Sequence, residues 1–256
     1  MGYFIDTHVH FYDDAYGEDC EAAIGRSVAA GVKKMIQPDI DSKERDKMFR
    51  ISEAHPGLLF TMLGLYPGSV GADWEEELAK MEPYFGRGIV AIGEIGLDYH
   101  YSADTAELQK RAFAEQLRLA ASKGLPVNIH MRDATEDFFN VLDACKPLGI
   151  RGNLHAFSGS WETFQRLGSY GDWYVGIGGV VTFKHAKVAE SVKKIPLERI
   201  ILETDAPYLA PEPHCGHIYE SSYIPLIAAK VAELKGITIE EVRDVTTSNA
   251  EKLFGI

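Results

Sequence analysis

The chain is poor in cysteine. Cys20, Cys145 and Cys215 are odd in number and far apart among 256 residues. That pattern excludes a disulfide framework and fits reduced thiols in the cytoplasm. No apolar run approaches the roughly 18 residues of a membrane span, so no membrane partner is expected. The start has no Lys/Arg-rich stretch leading into an apolar segment, so no signal peptide is expected either. Positive charge is also scarce, with 26 Lys and Arg against 38 Asp and Glu and a net charge of −12. This argues against broad, non-specific nucleic-acid binding, which runs on cationic contacts to phosphates. It leaves open a nucleic-acid end held locally by metal ions. No basic stripe interleaved with aromatics, of the kind that builds a single-strand groove, is present.

With no linker, repeat or low-complexity tract, residues 1–256 read as one domain, and 46% hydrophobic residues can bury a sizeable core. Strands are expected over 4–11, 33–38, 58–65, 89–95, 126–130, 151–157, 173–179 and 199–204. Most are near-continuous apolar runs, as in strands buried on both faces of a parallel sheet. Helices are expected near 18–30, 42–54, 74–85, 104–123, 135–146, 160–169, 185–194 and 221–235, with one or two more at the end. Asp104-x-x-Glu107, Thr238-x-x-Glu241 and Ser248-x-x-Glu251 read as helix-start signals. Eight such units predict a (β/α)8 TIM barrel of the α/β class. The rival is a doubly wound open sheet, which usually carries a Gly-rich turn after its first strand. Here that place holds histidines.

His8 and His10 flank Val9 on the first strand and so share one face. Barrel sites are built at the C-terminal ends of strands. Those ends also carry Glu94 on strand four, His130 on strand five, His155 on strand six and Asp205 on strand eight. Strands two, three and seven contribute Asp39, Tyr66 and Gly178-Gly179. Singly, each has an ordinary role: a strand histidine in the core, a glutamate paired with arginine, an aspartate capping a turn. Four imidazoles and two carboxylates at one end of one barrel instead predict a metal centre. They exceed what one tetrahedral ion needs, so two divalent ions are expected, with Glu94 as the bridge. Mixed N/O donors suit Zn or Mn, and Mg less well. The ions' task would be water activation. Lowering the pKa of bound water from about 15.7 to about 7 is worth roughly 12 kcal/mol. Asp205 would accept or shuttle the proton.

These residues resemble the TatD family of metal-dependent hydrolases, within the amidohydrolase superfamily. The resemblance runs nearly end to end, through Asp6-Thr7-His8-Val9-His10, Gly93-Glu94-Ile95-Gly96-Leu97-Asp98-Tyr99, Leu125-Pro126-Val127-Asn128-Ile129-His130, His155-Ala156-Phe157-Ser158-Gly159-Ser160, Gly176-Ile177-Gly178-Gly179, Glu203-Thr204-Asp205-Ala206-Pro207-Tyr208-Leu209 and Thr247-Ser248-Asn249-Ala250. It implies a (β/α)8 barrel, a two-metal centre and phosphodiester hydrolysis, best known as 3′→5′ DNase activity. It also implies that one metal takes His8, His10 and Asp205, and the other His130 and His155, with Glu94 bridging.

Two stretches depart from the family pattern. The usual Gly-x-His-Pro after strand three reads Gly64-Leu65-Tyr66-Pro67. The usual Arg-Gly-x-x-Asn-x-Pro loop has Cys215 at the Arg position, Tyr219 at the Asn position and Ser221 at the Pro position. Two phosphate contacts are thereby removed, and Tyr66 donates a hydrogen bond without charge. His214, Cys215 and His217 are expected to line the substrate pocket or shape its loop; an extra metal ligand or a Cys215 nucleophile are the other readings. Arg132, two residues past His130, either meets an anionic substrate or forms a structural salt bridge. His100 lies at the mouth, His55 and His185 on the surface, and Trp74, Trp161 and Trp173 in packing. The substrate expected is a single-stranded nucleic-acid end or a smaller phosphoester. The alternative is a carboxylic ester, lactone or amide cleaved by the same metals. A metal-loaded barrel acting only as a binding module is a third possibility. No obligate protein partner is evident.

Overall fold

The computed structural model describes residues 2–101, 103–214 and 218–256. Its strands are β1 (Phe4–Asp6), β2 (Val32–Gln37), β3 (Leu59–Leu63), β4 (Ala91–Asp98), β5 (Val127–Arg132), β6 (Gly152–Leu154), β7 (Trp173–Ile177) and β8 (Ile200–Leu202). They pair in sequence order, each pair parallel. The ring is completed where the chain beyond β1 meets the chain beyond β8. Thr7 N donates to Leu202 O (3.1 Å), Asp205 N to His8 O (2.9 Å) and His10 N to Ala206 O (2.8 Å). The fold is a (β/α)8 TIM barrel, as expected.

The helices are α1 (Cys20–Ala29), α2 (Arg45–Ala54), α3 (Trp74–Ala79), α4 (Ala106–Lys123), α5 (Thr135–Cys145), α6 (Trp161–Gly168), α7 (Val188–Lys194), α8 (Ile224–Lys235) and α9 (Ile239–Phe254). None among the described residues is long and apolar enough to cross a membrane. Several expected boundaries move. β1 and β8 stop two or more residues short of the ligands they were expected to carry, and β6 ends immediately before His155, because the chain turns at the barrel mouth. α3 ends at Ala79 and gives way to a short 3-10 stretch, and α7 begins only at Val188, leaving exposed His185 outside it. Thr238 does cap α9, accepting from Glu241 N at 3.1 Å. Ser248 lies inside α9 and starts nothing, and α4 begins at Ala106 with Thr105, not Asp104, at its cap position.

One core cluster joins Ile5, Ile36, Met62, Ala91, Tyr174 and Ile201 from six strands with Ala250, Leu253 and Phe254 of α9. Thr247 of α9 donates to Tyr3 O, and Asn249 donates to Leu197 O and Ile200 O, just before or at the starts of β1 and β8, so α9 covers the N-terminal end of the barrel and leaves the other end for the site. Outside, Phe113, Leu117 and Ala120 of α4 and Phe138, Phe139 and Leu142 of α5 pack onto the strands in a larger cluster. Trp173 and Trp74 are buried, and Trp161 stacks on Phe164, so all three tryptophans serve packing.

Two buried glutamines of α4 set the strand ends. Gln109 Oε1 accepts from Asp98 N (2.8 Å) while its Nε2 donates to Asp98 O (3.1 Å). Gln116 does the same to Leu65, with Leu65 N donating to its Oε1 (2.7 Å) and its Nε2 donating to Leu65 O (3.1 Å). These paired bonds satisfy backbone groups where the ladders stop and hold the segments that carry Asp98 and Tyr66. Asp39, at the end of β2, is spent on the scaffold: its Oδ2 accepts from Arg45 Nε at 2.7 Å and from Gly64 N at 3.2 Å, with both charged residues buried.

Candidate metal centre

All six expected ligands converge at the C-terminal mouth. Val9 bridges to Ala206 and packs into the core, and the two flanking histidines turn to the other side with His8 Nε2 and His10 Nε2 only 3.1 Å apart. Glu94 reaches two directions at once. Its Oε2 lies 3.3 Å from His8 Nε2, and its Oε1 lies 2.9 Å from His130 Nδ1 and 3.8 Å from His155 Nε2. Asp205 Oδ1 stands 3.4 Å from His10 Nε2, 3.6 Å from His8 Nε2 and 3.8 Å from His155 Nε2. The His8 and His155 rings stack at 3.5 Å. Three overlapping groups have ligand atoms close enough to hold an ion: His8, His10 and Glu94; Glu94, His130 and His155; and His8, His155 and Asp205.

The far side of each ring tests whether this set suits a cation. A ligating imidazole presents an unprotonated nitrogen, and its other N–H is usually held by an acceptor. His8 Nδ1 lies 3.1 Å from Asn128 Oδ1. His10 Nδ1 lies 2.7 Å from Tyr12 Oη, whose own proton goes to Pro38 O at 2.6 Å, so His10 Nδ1 is the donor there. His155 Nδ1 lies 3.0 Å from Glu203 Oε1, a close charge contact not aligned as a hydrogen bond. His130 is turned the other way round: Nε2 meets Asp98 Oδ2 at 2.9 Å and Nδ1 faces Glu94. The rings of His8, His10 and His130 thus each keep their proton on the far nitrogen and direct a lone pair inward. The residues fit a centre of divalent ions.

The six groups share one buried space, and each shifts the titration of its neighbours. Burial works against charge on Glu94, yet His8 and His130 hold its carboxyl well below the usual range. Burial opposes charge on Asp205 too, but His155 and His10 lower its pKa. Burial and neighbouring His155 depress His8. Burial also opposes protonation of His155, but Glu203 and Asp205 lift it to about 10. Such competing shifts mark functional sites.

Residues that the sequence reading did not single out for a role do much of this positioning. Asn128 and Asp98 lie two and four residues from a ligand on the same strand, the spacing that keeps side chains on one face, while Tyr12 and Glu203 each lie two residues from a ligand in the segments beyond β1 and β8. Asp6 lies deeper. It accepts from Thr204 Oγ1 (2.6 Å), Thr204 N (3.0 Å), His8 N (3.1 Å) and Ser221 Oγ (2.6 Å), tying the β1 end to the β8 end. Burial pushes its pKa up to about 7 despite those bonds. The Gly176–Gly179 run gives close approach: a Cβ on Gly176 would meet Glu203 Oε2 at 1.9 Å, and one on Gly179 would meet Leu209 O at 2.5 Å.

The other expected site residues fall in several places. Tyr66 lines a cleft of about 490 Å³ together with His10, Glu94, His130, His155 and Asp205. Its hydroxyl donates to Asp98 Oδ2 at 3.3 Å, and its ring meets His130 edge-on. Arg132 lines the same cleft, its guanidinium 4.7 Å from the Tyr101 ring centre. It has no carboxylate at ion-pair distance among the described residues, so the salt-bridge reading does not hold there. His214 stacks on Tyr223 at 4.5 Å and does not line the cleft. Cys215 and His217 lie outside the described residues. His100 is half-exposed and pairs with Asp133, and His55 pairs with Glu21.

Residues 5–255 match the model of the TatD related DNase family. The chain is 37% identical over 253 residues to the uncharacterized metal-dependent hydrolase YabD of Bacillus subtilis, covering 98% of each. It is 32% identical over 259 residues to the 3′-5′ ssDNA/RNA exonuclease TatD of Pantoea ananatis, covering 98% of this chain and 99% of that one. The crystal structure of the TatD homologue YJJV from Escherichia coli K12 superposes with a TM-score of 0.91 at 30% identity, covering 99% and 98%. Its barrel, its donor set and these likenesses together make the chain a metal-dependent hydrolase that belongs to the TatD family.

Proposed function

We propose that the protein is a two-metal phosphodiesterase acting on single-stranded nucleic-acid ends or smaller phosphoesters. One observation carries this reading: the two oxygens of Glu94 address different imidazoles, Oε2 toward His8 and Oε1 toward His130, as a carboxylate shared by two cations would. His8, His10 and Asp205 would hold one ion and His130 and His155 the other, with Zn, Mn or Mg as candidates. When bound, the ions supply an acidified water and neutralise charge developing on the phosphoryl oxygens. The protein's own side chains do the rest. Asp205, kept ionised by its imidazole neighbours, takes the proton of the attacking water and returns one to the leaving oxygen. Arg132 orients a phosphate oxygen in the cleft, and the Tyr66 hydroxyl reaches one by turning its proton away from Asp98. A cytoplasmic location is part of this reading and rests on separated cysteines, of which Cys20 and Cys145 are free thiols. The exonuclease name of the Pantoea relative supports the substrate class.

Metal-dependent release of mononucleotides from single-stranded DNA is the expected result. A metal-loaded protein that cleaves no phosphodiester overturns the proposal. One observation favours a second reading, hydrolysis of a carboxylic ester, lactone or amide: among the described residues lining the cleft, Arg132 is the sole Lys or Arg, and Tyr66 is uncharged. Turnover of lactones, abolished by Asp205→Asn, would select it.

A further inference from the structure

A second cavity of about 280 Å³ adjoins the metal cleft, between the mouths of β5, β6, β7 and β8. Its wall is largely apolar, with Phe157, Val180, Val181, Val188 and Leu209. The two cavities share Arg132 and Leu209 as well as three of the expected ligands. A substrate at the metals therefore borders a largely apolar space with ample room for a ring system.

Leu209 is unusual on two counts. It is 49% exposed although apolar, and its backbone sits at φ 58, in the left-handed region. A side chain with a Cβ is disfavoured there by about 1–2 kcal/mol, a cost glycine escapes. Strain of this kind concentrates at ligand-binding sites. Tyr101 and Tyr208 are likewise exposed, and both line the cleft. Exposed apolar groups gathered at the mouth of a polar site point to an apolar part of the ligand.

We propose that this pocket receives the planar ring carried by the phosphoester, a nucleobase or an aryl group, and that Leu209 is the residue that determines this specificity. The proposal rests on the phosphodiesterase reading for its substrate class. With the phosphoryl group at the metals, the ring enters between Phe157 and Leu209 and Arg132 meets the phosphate at the junction.

Binding to the metal-loaded full chain tests this apart from turnover. Titration calorimetry with methylphosphonate, phenylphosphonate and thymidine 5′-phosphate compares similar anions that differ in the attached group. The pocket predicts at least about tenfold tighter binding of a ring-bearing anion than of methylphosphonate, the scale of discrimination an apolar pocket provides. Tighter binding of thymidine 5′-phosphate identifies a nucleobase site, and tighter binding of phenylphosphonate an aryl site. Leu209→Gly and Leu209→Asn both tolerate the left-handed backbone, so each should fold with an unchanged or higher Tm and shrink the ring-to-methyl ratio severalfold. Equal affinity for all three anions overturns the pocket, and a ratio unchanged in both variants overturns the role of Leu209. A preserved ring preference in a protein that cleaves no phosphodiester would leave the pocket standing and sink the phosphodiesterase reading.

Discussion

Gly176 on β7 and Glu203, the residue after β8, lie so close that a methyl group on the glycine would stand 1.9 Å from Glu203 Oε2. The glycine therefore acts on the metal centre, since the same carboxylate lies 3.0 Å from His155 Nδ1. Gly176→Ala must displace Glu203 or the strand. It should lower stability by about 1–3 kcal/mol, the usual cost of overpacking, and weaken metal binding as His155 loses its partner. Thermal melting and metal content per chain check this, and an alanine variant with wild-type values on both would refute it.

Glu94→Gln keeps the shape of the side chain and removes the charge that its two oxygens share. Metal content should fall from about two ions per chain, and hydrolysis should drop by about two orders of magnitude or more. Chelation of the wild-type protein should abolish activity, and Zn or Mn should restore it. Elemental analysis beside the same assay decides the matter; full occupancy and activity in the variant would count against Glu94 as the bridge.

Asn128→Ala and Asp98→Ala leave every expected ligand in place. Each removes the acceptor that holds a ring nitrogen, of His8 at 3.1 Å and of His130 at 2.9 Å. Loss of such partners typically costs about 10- to 100-fold in metal affinity or activity. Competition with a metal indicator measures it, and unchanged affinity in both variants would mean that the rings are held by packing alone.

The Arg45–Asp39 pair is buried, with the guanidinium Nη atoms unbonded among the described residues. Arg45→Met should destabilise by about 3–5 kcal/mol by leaving a buried carboxylate without its partner. Adding Asp39→Asn should recover a large share of that loss. Urea unfolding of the single and double variants is the measurement, and a double variant no better than Arg45→Met would rule out the uncompensated charge as the cause.

Two serine/threonine positions separate a real cap from a sequence coincidence. Thr238→Ala should cost about 1 kcal/mol, because Glu241 N loses its acceptor at the start of α9. Ser248→Ala, at an exposed interior position of the same helix, should be neutral or slightly stabilising. A melting-temperature comparison distinguishes them.

The barrel, and the meeting of six candidate ligands at its mouth, were legible in the chain because their signals are local. Apolar runs spaced by amphipathic stretches define eight βα units, and period-two alternation around Val9 already places His8 and His10 on one face. The residue types at the other strand ends, Glu94, His130, His155 and Asp205, followed from where barrel strands finish. What the tertiary structure alone decided is which atoms meet. That His130 turns Nδ1 inward while the other rings offer Nε2 depends on Asp98, held by Gln109 from a separate helix. Arg132 meets Tyr101 rather than a carboxylate, and Ser221 bonds Asp6 from 215 residues away. Spacing along one strand fixes a face, but partner choice depends on distances between strands and on burial. Those quantities exist only once the ring has closed.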